Sequence, residues 1–166
     1  PTPVSALLHA VAVVKAGVFS ILMVICYIFG PEFMNSSGSG TFLIWASTIT
    51  LFLSSVIAIT KNDIKARLAY STVSQLSYII LGGAIATNYS LIASVSNIMM
   101  HGVGKITLFF CAGAIYVSTK ITKISDLNGL GHRMPLTFFA FSIGALSIIG
   151  IPPFGGSWSK FYLLLG

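Results

Sequence analysis

The chain has 166 residues, 55% of them hydrophobic and only 7% charged, with nine Lys and Arg against three Asp and Glu for a formal charge of +6. Soluble domains carry about 25% charged residues, so this chain has too little polar surface to face water on all sides. The excess of positive charge does not describe a nucleic-acid binder either, because the cations are divided between short loops and apolar runs rather than gathered on one polar face.

A helix needs about 20 apolar residues to cross the hydrocarbon core of a bilayer. Five runs meet that length, and the fold class they predict is all-α, a polytopic transmembrane helical bundle. None of the runs shows the sustained period-two alternation of a membrane β-barrel. The first runs from about Val4 to Phe29 and carries His9 and Lys15. These two stand six residues apart and therefore point about 120° apart around a helix, so they do not form one contact. Lys15 is near the middle of its span, whereas a lone histidine such as His9 is more often a packing residue. A polar stretch, Asn35 to Gly40, reads as a flexible loop, and its Asn35-Ser36-Ser37 sequon reads as a chance match.

The second run covers about Phe42 to Thr60 and the third about Leu68 to Ala86. Ser71, Gln75 and Tyr78 share one face of the third, suited to lining a hydrated path or to an interhelical hydrogen-bond seam. The fourth run, about Leu91 to Ser118, sets Ser94, Asn97, His101 and Lys105 at i, i+3, i+7 and i+11, a narrow polar stripe on one face. His101 and Lys105 are one turn apart, close enough to pass a proton directly or through a water. A lysine at the centre of a membrane helix costs about 2.5 to 3.5 kcal/mol on insertion scales, and that cost makes Lys15 and Lys105 functional candidates by default.

The fifth run, about Leu136 to Leu165, is interrupted between Gly150 and Gly156 by Gly150, Pro152, Pro153, Gly155 and Gly156. Such a stretch cannot continue a helix, and unpaired backbone is tolerated at membrane depth only where protein or a wet cavity surrounds it. Lys160 follows the break directly and is expected beside that cavity. Half-helix ends at such breaks serve as ion sites in transporters.

The loops set a predicted orientation. Lys61, Lys65 and Arg67 lie between the second and third runs, and Lys120, Lys123 and Arg133 between the fourth and fifth, while Gly30 to Thr41 and Thr87 to Ser90 hold no Lys or Arg. The basic loops, 61–67 and 119–135, should therefore face the cytoplasm, or the matrix of an organelle. The three carboxylates, Glu32, Asp63 and Asp126, all fall in expected loops, so either the counter-charge to the buried lysines comes from another segment or subunit, or the lysines are largely neutral at rest. Cys26 and Cys111 lie inside apolar runs and read as small packing residues. With no Met at its start and an apolar run at its end, the chain reads as a fragment.

Together these residues resemble a family. Pro1 to Ala10 with Val14-Lys15-Ala16-Gly17-Val18, Asp63 to Gln75, His101 to Leu108 and Gly150 to Lys160 are similar to long motifs of the antiporter-like membrane subunits. These are the proton-pumping subunits of complex I, subunits A and D of Mrp sodium/proton antiporters, and relatives in membrane-bound hydrogenases. The resemblance covers nearly the whole chain. It implies a fourteen-helix fold with two inverted five-helix repeats, each with one broken helix, of which residues 1–166 hold the eighth to twelfth helices. It implies that Lys15 is the connecting lysine between half-channels, Lys105 the central lysine beside His101, and Lys160 the terminal lysine of the outer half-channel. Asn97 departs from the pattern, standing where the large complex I subunit has a second histidine. The set His9, Lys15, His101 and Lys160 looks closest to the Mrp-type subunits.

The resulting expectation is proton translocation, with sodium exchange in the Mrp branch, by a subunit working among other membrane subunits in a lipid bilayer. The membrane would be a bacterial or archaeal plasma membrane or an organellar inner membrane. No metal, cofactor or nucleic acid is expected in this chain, and any NADH:quinone oxidoreductase activity would belong to a whole complex. The rival reading is a scaffold subunit of a hydrogenase or quinone reductase, with no ion path of its own.

Overall fold

The computed structural model describes Leu8 and residues 12–166. Helix α1 covers Val13–Met23 and continues as a π-helical segment over Val24–Phe29. Then follow α2 (Pro31–Ser36), α3 (Ser39–Thr60), α4 (Ile64–Ile85), α5 (Asn88–Thr119), a 3-10 turn (Ile124–Leu127), α6 (Leu130–Arg133), α7 (Pro135–Ile149) and α8 (Gly156–Leu165). Among the described residues there is no β-strand, only an isolated antiparallel bridge between Asp63 and Lys123.

Three of these helices, α3, α4 and α5, are long and apolar enough to cross a membrane, while Val13–Phe29 and Pro135–Ile149 are shorter apolar stretches. At 1.5 Å per residue the 32 residues of α5 extend about 48 Å, well beyond a hydrocarbon core of about 30 Å. The outer faces suit lipid. Phe42, Trp45, Phe52 and Ile59 of α3, and Met99, Val103 and Val117 of α5, are all more than 60% exposed. In water such faces would be a liability; in a bilayer they are the solvent-facing surface.

Local chemistry places the helix ends. The Asp63 side chain accepts from Ala66 N at 2.9 Å and starts α4 several residues before its apolar run begins. Thr87 and Ser90 form a reciprocal capping box at the start of α5. Proline opens both α2 and α7 at a position where a missing N–H costs nothing. The segment expected to be a flexible loop is thereby corrected. α2 carries helix to Ser36 and α3 already begins at Ser39, because Pro31 and the acidic Glu32 start a helix just ahead of the polar stretch, which it enters.

α4 and α5 form the centre. α3 and α1 pack on α4, and α7 and α8 pack on α5. One core cluster joins α1 and α4 through Val18, Leu22, Leu76 and Ile79, with Ile98 of α5 packed against it, and another joins α4, α5 and α7 around Ile64, Leu68, Leu108 and Phe109. At one end of the bundle the backbone around Asn62 pairs with that of residues 122–124, Ile64 N to Thr122 O at 3.0 Å and Ile124 N to Asn62 O at 2.8 Å. The two lysine-bearing loops are thus joined at the same end.

Candidate functional site

The α4–α5 seam contains the residue that most needs explanation. Lys105 is completely buried, yet its side chain ends on polar atoms of the neighbouring helix, donating to Leu68 O at 2.8 Å and to Ser71 Oγ at 2.9 Å. Both acceptors lie in the first two turns of α4. The neighbours that hold this amine are therefore a carbonyl and a hydroxyl, not a carboxylate. Two acceptors fit either charge state of an amine: a neutral amine uses both of its N–H groups on them, and an ammonium keeps a third for a water or another carrier.

The stripe read on α5 is inward along its length. Ser94, Asn97, His101 and Lys105 are all at most 4% exposed. Ser94 bonds across to Ile79 O of α4 at 2.9 Å and back to Ser90 O at 3.0 Å, and so serves as interhelical glue. His101 makes no direct hydrogen bond to Lys105. Both its ring nitrogens, and Nδ2 of Asn97, are buried without a hydrogen-bond partner among the described residues. Buried polar atoms are rarely left orphaned, so these three mark a place where water or a transient partner completes the network.

Lys15 reaches the same region from α1. It is 8% exposed, and its side chain lies across Gly102, with Cε 3.5 Å from where a Cβ on that glycine would stand and Nζ nearer still. His9 lies outside the described residues. Gln75 and Tyr78 are half-buried on α4, on the same face as Ser71.

α8 brings the last lysine. Lys160 donates to Ile148 O at 3.0 Å and to Ile149 O, the carbonyls left unpaired where α7 stops. It lines a groove of about 800 Å³ with Gly150, Pro152, Pro153, Trp158 and Phe161. The residue before it supplies a link that no spacing argument singled out. Ser159 is fully buried and donates to Asn97 Oδ1 at 3.4 Å, joining α8 to the α5 stripe. A lone serine in a short helix carries no sequence signal for such a role; only the approach of α8 to α5 reveals it.

The geometry defines a helical membrane bundle in which Lys105 of α5 and Lys15 of α1 meet along a central polar seam, while Lys160 of α8 closes on the last carbonyls of α7. The chain belongs to the NADH:quinone oxidoreductase/Mrp antiporter transmembrane family, whose model matches residues 1–166. It is 39% identical to NAD(P)H-quinone oxidoreductase chain 5 of Synechocystis sp. over 96% of this chain and 24% of that relative. It is 35% identical to NADH-quinone oxidoreductase subunit N of Desulforudis audaxviator over 100% of this chain and 33% of that protein. Among solved structures it is similar to a chain of the Mrp complex from Dietzia sp. (TM-score 0.88, 32% identity, 99% of this chain and 18% of that one). It is likewise similar to a chain of the membrane-bound sulfane sulfur reductase, an archaeal respiratory membrane complex (TM-score 0.87, 28% identity, 99% and 33%). The chain thus spans about a quarter to a third of the curated relatives it matches.

Proposed function

We propose that this chain forms part of the ion path of a subunit in a multisubunit membrane complex, and that protons pass between Lys15, Lys105 and Lys160 with His101 as a relay. One observation carries the reading: Lys105 is fully buried in the longest helix, with its amine held by Leu68 O and Ser71 Oγ. A packing residue at that position has no need of an amine, and a buried cation kept only for stability is a poor use of the site. Asn97 and Ser159 extend the polar seam from His101 toward Lys160, and the orphaned nitrogens of His101 and Asn97 are the groups through which water would complete it.

The wider assignment follows from the same reading. α7 and α8 are two halves of a fifth, interrupted span, since neither alone reaches a bilayer's width and the break from Gly150 to Gly156 is closed by a lysine rather than left open. Residues 1–166 then correspond to the eighth to twelfth helices of a larger subunit, in an energy-transducing plasma or organellar inner membrane, with the basic loops on the cytoplasmic or matrix side. Sodium exchange belongs to this reading only if the host is an Mrp-type antiporter, and quinone reduction belongs to the remainder of a complex.

The direct test is proton flux in vesicles holding the assembled complex with Lys105→Ala, or Lys105→Met to keep the volume. Normal assembly with flux reduced at least about tenfold is expected. Undiminished flux in an assembled variant would leave only a helix-packing scaffold.

A further inference from the structure

Gly102 is a position on the inner side of α5 where the absence of a side chain is used by a lysine. It is buried, follows His101 and precedes Lys105 by three residues, so it stands on the flank of the polar stripe one turn from the central lysine. That flank faces α1. Ile98, one turn earlier, packs against the cluster that α1 and α4 form with Val18, Leu22, Leu76 and Ile79. At Gly102 the row is interrupted, and the Lys15 side chain fills the gap. A Cβ built there would overlap Lys15 Nζ and stand 3.5 Å from Cε, and it would meet nothing else within 4 Å.

The backbone does not ask for glycine. Gly102 is inside a continuous α-helix without the positive φ that excludes other residues, and glycine weakens a helix relative to alanine. Nor does helix–helix packing ask for it. Gly104, two residues on, faces Ile148 and Gly144 of α7, whereas Gly102 faces a lysine tip alone.

We propose that Gly102 is a positioning residue, a window through which the Lys15 amine reaches α5 beside His101 and one turn from Lys105. A methyl group there closes the window and separates Lys15 from the central lysine while leaving the helices where they are. The inference rests on the proton path proposed above and adds the residue that sets the distance across its first gap. The atom displaced is the end of a flexible side chain, so Gly102→Ala disturbs the amine rather than the fold.

The experiment is a double-mutant cycle in the assembled complex, reading proton flux in vesicles beside assembly and thermal stability. Gly102→Ala should assemble normally, hold its Tm or raise it, and lose flux about tenfold. Gly17→Ala, on α1 with nothing within 4 Å of its added methyl, is the control and should keep wild-type flux. Because Gly102 acts through Lys15, the pair Lys15→Ala with Gly102→Ala should conduct no less than Lys15→Ala alone, whereas a general packing defect gives multiplied losses. Wild-type flux in assembled Gly102→Ala, or multiplied losses in the pair, would overturn the window. If Gly102→Ala does not assemble, adding Lys15→Ala removes the atom the methyl meets and should restore assembly; failure to restore it overturns the proposal as well. Flux surviving in Lys105→Ala would sink the proton path itself, whereas flux lost there but kept in Gly102→Ala sinks only the window.

Discussion

Lys105–Ser71 and Ser55–Ser74 show how two hydrogen bonds of similar length can matter for different reasons. Ser71 Oγ accepts from Lys105 Nζ at 2.9 Å, and Ser55 and Ser74 hydroxyls meet at 2.8 Å between α3 and α4. Losing either bond costs about 1 kcal/mol of stability, since each removes one part-buried hydrogen bond of ordinary strength. Only Ser71 touches an amine. Ser71→Ala is therefore expected to slow proton flux several-fold with a small drop in Tm, and Ser74→Ala to show the same drop with flux unchanged; equal flux in both variants would make Ser71 a packing residue. Ser71 was readable in sequence as one of three polar groups on a helix face, along with Gln75 and Tyr78. That Ser71, and not the other two, holds the lysine depends on a side chain reaching across from a helix 34 residues away in sequence, which no local spacing encodes.

The junction of α7 and α8 carries its information in backbone rather than side chains. Gly150 ends α7 with φ 84°, and Lys160 folds back to bond the last carbonyls of that helix. A cation at a helix C-terminus also meets the negative end of the macrodipole, so Lys160 caps the end of α7 as well as facing the groove. Gly156 is held under a stricter constraint than Gly102. A Cβ there would overlap the Ser147 carbonyl oxygen and stand 3.1 Å from its carbon, atoms of a helix that cannot swing aside. Gly156→Ala should therefore force α7 and α8 apart and destabilise the assembled subunit by about 1 to 3 kcal/mol, the range for overpacking, seen as lower Tm and poorer incorporation. The opposite behaviour of the same substitution at two glycines is decided by what the new methyl meets; an unchanged Tm in Gly156→Ala would show that the two helices are free to move. The interruption after Ile149 was legible as a cluster of Pro and Gly. The short helix α2 was not read, although Pro31 and Glu32 are start signals, because six residues are too few for a hydrophobic period to emerge.

The bundle as a whole has two chemically distinct ends. At one end Asn62 exchanges two hydrogen bonds with Ser125, and Lys61, Lys65 and Lys120 sit over the Tyr70 and Tyr116 rings at 5.0 to 5.6 Å, an arrangement suited to the headgroup level. At the other, the α2–α3 junction closes on the end of α4, where a Cβ on Gly40 would lie 2.9 Å from Met34 O and 3.2 Å from Ala84 O. α4, 22 residues or about 33 Å long, runs from the first end to the second. The asymmetry of cations between alternate loops was visible in the sequence, as were three long helices to within a few residues. Which helices adjoin was not, because every outward face is apolar and looks alike until the polar seams choose partners. Single cysteines placed at the two ends test the orientation. With Cys26 and Cys111 replaced by serine, Asn128→Cys at the basic end should react with an impermeant maleimide only from the cytoplasmic or matrix side. Ser37→Cys, exposed beyond α2, should react only from the opposite side. Labelling of both from one side would mean that the bundle does not cross the membrane between them, and a path for protons through Lys105 would then have no second compartment to reach.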